Sequence, residues 1–134
     1  KGELVHAHED FQIVISYNPG YQSLMKDLKQ STKQRFGGMD FDYPQSEIET
    51  EIVAHEGGVE PGVAEKLVQV AQRSRNLKGH GLDEGMSTRL LVYAAQLVSK
   101  GISPQAACKM ALVTPLTDDP DMRDTLDAAV NTYF

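Results

Sequence analysis

The sequence predicts a short α/β segment leading into an all-helical bundle, with the change of regime near Tyr43-Pro44. Three observations predict it. The run Phe11-Gln-Ile-Val-Ile-Ser-Tyr17 is a short apolar stretch that stops abruptly at Asn18-Pro19-Gly20, which reads as a buried strand ending in a turn. A second short stretch, Met39-Asp-Phe-Asp-Tyr43, follows a helical pattern over Ser23–Phe36. From Gln45 onward every segment carries apolar residues at helical spacing between Gly, Pro and capping residues. The expected domains are therefore residues 1–44 and 45–134.

Taken in order, Glu3–His6 reads as a short strand, Ala7–Asp10 as a turn, Phe11–Tyr17 as a strand, Ser23–Phe36 as a helix and Met39–Tyr43 as a strand. Ser46 and Glu49 have the spacing of a capping box, opening a helix with Ile48, Ile52 and Val53 on one face and a stop at Gly57-Gly58. Pro61 suits a first helical position, and Val63, Ala64, Leu67, Val68 and Ala71 form the stripe of a helix running to about Arg75. Asn76–Gly85 is a glycine-rich loop. Ser87 or Thr88 caps a helix whose Leu90, Leu91, Ala94, Ala95, Leu97 and Val98 face a core until Gly101. Ser103-Pro104 starts a helix to about Val113, and Asp118-Asp119-Pro120 starts the last. The bundle has five helices in this reading.

Bulk properties narrow the function classes. The chain has 134 residues, begins Lys1-Gly2 and reads as a piece of a longer protein. Its net charge of −6, with acidic residues spread along it, argues against nucleic acid as principal partner, because phosphate binding needs clustered Lys and Arg. The one cysteine, Cys108, sits among Ala residues in an apolar helix and reads as a buried structural thiol, so no disulfide framework exists and a reducing cytoplasm fits. No apolar run approaches the ~20 residues of a membrane span.

Three residues carry a chemical reading, each beside a plainer one. Asn18, at a strand tip, can orient a water or a phosphate oxygen without carrying charge, or serve as a turn residue before Pro-Gly. Arg35 can stabilise charge on a neighbouring subunit's γ-phosphate, or rest as a solvated helix-end cation. Arg89 lies in the first turn of a helix, where a cation opposes the helix dipole and calls for an anionic partner. No metal site is expected: His6 and His8 alternate along the chain, but only Glu9 and Asp10 lie nearby. No glycine-rich loop ending in Gly-Lys-Ser/Thr occurs, and no apolar run ending in Asp-Glu.

Asn18, the string Leu28-Lys-Gln-Ser-Thr-Lys-Gln-Arg-Phe36 and the string Gly85-Met-Ser-Thr-Arg-Leu-Leu-Val-Tyr-Ala-Ala95 together resemble the C-terminal part of the CbbQ/NorQ/NirQ family of MoxR-type AAA+ ATPases. The resemblance covers essentially the whole chain. It implies that residues 1–44 are the end of a P-loop AAA+ core with short parallel strands, and residues 45–134 a helical lid and family-specific C-terminal region. It implies that Asn18 is the first sensor, Arg35 the arginine finger (Lys33 being the nearest substitute) and Arg89 the second sensor. It further implies ATP and Mg2+ as cofactors of the full-length parent. The expected partners are a hexameric ring of copies, a von Willebrand A-domain protein and a client such as Rubisco or a metalloenzyme.

Without a phosphate loop, this segment alone is expected neither to hydrolyse ATP nor to bind it tightly. Its two apolar strands, not neighbours in such a core, would have open edges and favour a strand-paired dimer. The competing reading, from another class, is a non-catalytic helical interaction module in which Asn18, Arg35 and Arg89 are structural.

Overall fold

A computed structural model describes residues 2–16 and 30–134 of the chain. Asn18 and its turn, the end of the expected strand at Tyr17 and most of the expected helix Ser23–Phe36 lie outside the described residues. The chain separates into two units, Lys1–Asp40 and Phe41–Phe134. In the first, the described secondary structure is one helical turn, α1 (Gln30–Lys33). The second is helical throughout: α2 (Ser46–Gly57), α3 (Pro61–Arg75), α4 (Thr88–Ser99), α5 (Pro104–Cys108), α6 (Thr114–Leu116) and α7 (Pro120–Tyr133).

The expected strands are not formed among the described residues. Glu3–His6, residues 11–16 and Met39–Tyr43 are irregular, and Phe11, Ile13, Val14, Met39 and Phe41 are exposed. The physical reason is that a strand exists only with a ladder partner. The apolar patterning of these segments is real, but no partner strand lies among the described residues to use it.

The helices follow the local chemistry closely. Pro61 stands at the first position of α3, where its missing N–H is no loss, and α2 ends against Gly58 in the left-handed region at φ 66°. Asp119 caps α7 by accepting from the Met122 N–H at 3.0 Å. α5 continues through a π-helical turn, Lys109–Val113, into α6, so this segment extends beyond Val113 to Leu116. The Thr114 N–H reaches back to the Lys109 carbonyl there. This widened turn precedes Pro115, whose ring would otherwise press on the carbonyl of Ala111.

Two details of α2 differ from the sequence expectation. Gln45, not Ser46, is its N-cap residue, and no side chain caps the helix. Glu49 turns inward instead of back to a cap, because a stronger, charged partner awaits it in the core. The buried face is accordingly Glu49, Val53 and Gly57, while Ile48 stays half exposed on the outside.

The core is one cluster in the helical unit, with Val53, Leu67, Met86, Leu91, Leu112 and Leu126 fully enclosed. α2 packs against both α3 and α4, and α7 closes on α3. The α2–α4 approach is set by small residues: a Cβ on Gly57 would collide with the Cβ of Ala95. Burial pushes the Cys108 thiol from 9.0 up to about 12.

Because neither the α2 backbone nor the Ala95 Cβ can give way, Gly57→Ala should destabilise the unit by about 1–3 kcal/mol. A lower urea midpoint at unchanged slope would show it, while Gly62→Ala, whose added methyl meets nothing, should stay within about 1 kcal/mol of the parent. For Cys108 the folded state holds its proton more tightly than the unfolded one. Its contribution to stability is fully present below about pH 9 and is lost as pH rises toward 12. Thiol reagents at pH 8 should therefore leave the native protein unlabelled and react on unfolding.

Candidate functional site

Glu49 lies in the first turn of α2, in register with Val53 and Gly57, and so points at the core. Arg75, the last residue of α3, continues the line of Val68 and Ala71. The two side chains meet between the packed helices. Arg75 Nη1 donates to Glu49 Oε2 and Nη2 to Oε1, both at 2.7 Å. The side chains are 12% and 1% exposed, respectively, so this is a forked ion pair almost out of water.

The pair fastens the loop that leads into α4. Arg75 Nε donates to the Met86 carbonyl at 3.0 Å, and the Met86 N–H donates to the buried Ser74 hydroxyl at 3.0 Å. Met86 is therefore held through both of its backbone groups. The Thr88 hydroxyl donates to Glu49 Oε1 at 2.6 Å, tying the first residue of α4 to α2. Gly85 lies against Arg75 so closely that an added Cβ would stand 2.6 Å from its Cγ and 2.8 Å from its Cα. The Tyr43 ring covers the guanidinium, with Cζ 3.8 Å from the ring centroid. Among the described residues no buried side-chain N or O lacks a partner, so the network is satisfied.

One residue beyond Thr88 stands Arg89, exposed on the first turn of α4. Ser87 caps this helix, accepting from the Leu90 N–H at 3.4 Å, and the first turn contains no acidic residue. Arg73 bonds the Tyr133 hydroxyl, and Arg123 bonds Asp118 and the Thr117 carbonyl. Among the described residues, Arg35 and Arg89 are the arginines whose side chains have no partner. A lone guanidinium beside the unsatisfied N–H groups of a helix start is chemically suited to an oxyanion such as phosphate.

The other sequence-derived candidates belong to the unit Lys1–Asp40 or lie outside the described residues. Arg35 belongs to the unit Lys1–Asp40, in the turn after α1, where its N–H donates to the Thr32 carbonyl at 3.1 Å and its side chain is exposed. Lys33, which ends α1, is exposed as well. Asn18 lies outside the described residues. Sequence reading gave Glu49 and Thr88 capping roles, took Tyr43 and Arg75 as the ends of elements, and did not link the four. The signal available was phase: Glu49 and Arg75 are opposite charges, each in step with the buried stripe of its own helix.

Removing one member of this pair leaves the other charge buried, so Glu49→Ala should cost about 3–5 kcal/mol. Chemical denaturation measures it. Glu49→Leu combined with Arg75→Met should recover part of that loss, since no uncompensated charge remains.

A family model described as CbbQ/NirQ/NorQ C-terminal matches residues 49–133, from Glu49 through Arg75, Thr88 and Arg89. Protein CbbQ of Hydrogenophilus thermoluteolus is 71% identical over 134 residues, covering 100% of this chain and 50% of that protein. Denitrification regulatory protein NirQ of Pseudomonas aeruginosa is 49% identical over 119 residues, 89% of this chain and 46% of the relative. Protein NorQ of Paracoccus denitrificans is 48% identical over 122 residues, 91% of this chain and 45% of the relative. The chain spans about half the length of the curated relatives it matches. By its helical unit, which holds the Glu49–Arg75 pair and presents Arg89, the chain belongs to the CbbQ/NirQ/NorQ family.

Proposed function

We propose that this chain is the C-terminal portion of an ATP-dependent AAA+ activase, and that Arg89 is the residue through which its helical lid senses bound nucleotide. The observation that carries the proposal is the placement of Arg89. Among the described residues it is an exposed, unpartnered cation on the first turn of α4, a turn free of acidic side chains whose first residue is tied to α2 from behind. Such a group fits the phosphates of ATP, and the forked latch holds it aimed before any ligand arrives.

When bound, ATP with Mg2+ supplies the phosphoanhydride whose hydrolysis drives remodelling. The chain's own residues divide the remaining work in this reading. Arg89 binds the phosphates of its own subunit, Arg35 neutralises developing charge on a neighbour's γ-phosphate, and Asn18 positions the attacking water. The phosphate loop and magnesium carboxylates, which the 134 residues do not contain, belong to the preceding part of the AAA+ core. Relatives about twice as long support that division. A hexameric ring with a von Willebrand A-domain partner, acting in the cytoplasm on a metalloenzyme or Rubisco-like client, completes the proposal. The name of the relative NirQ, a denitrification regulatory protein, supports a regulatory role. Among the described residues no helix is long and apolar enough to cross a membrane.

The test uses full-length protein. Arg89→Ala should weaken ATP binding about tenfold, the value of one lost charge-assisted contact, and reduce turnover with it. Arg35→Ala should lower hydrolysis by roughly 10³-fold while affinity stays nearly unchanged, because its charge is used in the transition state. Normal affinity and turnover in Arg89→Ala would instead favour the helical interaction module.

A further inference from the structure

The helical unit contains an unbroken run of contacts from where the chain enters it to the start of α4. Tyr43 lies just inside the unit, which begins at Phe41. Its ring covers Arg75, and its hydroxyl makes a long contact of 3.5 Å to the Gly85 carbonyl. Arg75 grips Glu49 with two hydrogen bonds, and Glu49 holds the Thr88 hydroxyl at 2.6 Å. Thr88 immediately precedes Arg89.

We propose that Tyr43, Arg75, Glu49 and Thr88 act as positioning residues for nucleotide sensing, a relay that sets the direction of Arg89 from the point where the chain enters the helical unit. The proposal rests on the reading of Arg89 as a nucleotide sensor and adds what holds that sensor in place.

The geometry of α4 explains why Thr88 is the decisive link. Ser87 already supplies the cap, so the Thr88 hydroxyl is not needed for capping. It is spent on Glu49 instead. Successive helical residues are rotated by about 100°, so fixing Thr88 against α2 fixes the rotation of the whole first turn. Arg89 is thereby sent to solvent, while Leu91 is buried. Without the tether, apolar packing from Leu91 onward would still hold the helix, but the first turn would be free to fray. A frayed turn keeps the guanidinium and loses its aim.

The relay also fixes the loop on the far side of Arg89. Arg75 spends Nε on Met86 and one N–H of each Nη group on Glu49, so each of its three guanidinium nitrogens donates to a described partner. A shift of Tyr43 exposes that guanidinium, a shift of Arg75 releases Met86 and Glu49, and release of Glu49 frees Thr88. Each step has a named contact.

A double-mutant cycle on the full-length protein tests the relay, with Mg2+·ATP titrated by calorimetry and folding followed by thermal melts. Thr88→Val keeps the shape and removes the hydroxyl. It should weaken ATP binding at least about fivefold, the lower end of ordinary coupling between linked sites. Thr88→Ser should restore binding. In an Arg89→Ala background, Thr88→Val should cause no further loss, because the relay acts only through Arg89. Tyr43→Ala, an exposed change at the other end, should weaken binding in the same Arg89-dependent way. Unchanged affinity in Thr88→Val while Arg89→Ala binds weakly would overturn the relay and leave the sensor assignment standing. Full additivity of Thr88→Val and Arg89→Ala would also overturn it, marking a structural contact. Unchanged affinity in Arg89→Ala would overturn both.

Discussion

The helical unit depends on a buried carboxylate, Glu49, whose charge is answered from another helix. Glu49 is fully enclosed, and enclosing an ionised carboxylate costs several kcal/mol unless its oxygens are satisfied. Here each oxygen meets a guanidinium N–H, and one also accepts from Thr88. The pair is therefore better viewed as a register device than as a source of net stability. Two apolar side chains of similar volume would fill the space between α2 and α3 equally well, but they would not dictate which residue of the following loop lies beside them. The forked pair does, because it leaves Arg75 Nε pointing at the carbonyl of Met86 and Glu49 Oε1 pointing at Thr88.

The same arrangement explains the small residues around it. Gly85 permits the loop backbone to lie against the Arg75 stem, and Gly57 permits α2 to lie against Ala95 of α4. Bulk at either place would move a helix carrying half of the ion pair. Polar geometry and close packing thus specify the same arrangement, which is the consistency expected of a sequence that encodes one fold.

Much of the helical unit was readable from residue order, and the reasons are local. Pro61 and Arg75 bound α3, Ser87 caps α4 and Asp119 caps α7, because caps and prolines act within one turn. The spacing of Ser46 and Glu49 misled for the same reason. A capping box and a buried glutamate look alike over four residues, and what decides between them is Arg75, distant in sequence. A rotation of α2 by one residue also exchanged Ile48 for Glu49 on its buried face. The apolar runs near Phe11 and Met39 show a different limit: alternation marks a face that can be buried, while a strand needs neighbours that no local pattern supplies. The exposed position of Arg89 on the first turn of α4 was legible because a cation there breaks a local rule; the contacts of Glu49, Arg75 and Thr88 were not, because they join residues far apart in sequence.

Between Asn76 and Ser87 the fully enclosed side chains are few, Leu82 and Met86 being the apolar ones. The loop is held chiefly by directional bonds to Met86 and Thr88. Its release as a unit would expose Leu82 and Met86 and little other apolar surface, so the free energy of that opening depends less on denaturant than that of the surrounding bundle. The helical unit then has two separable equilibria: global unfolding of the packed helices, which urea drives, and local opening of the loop that leads into α4, which its directional bonds oppose.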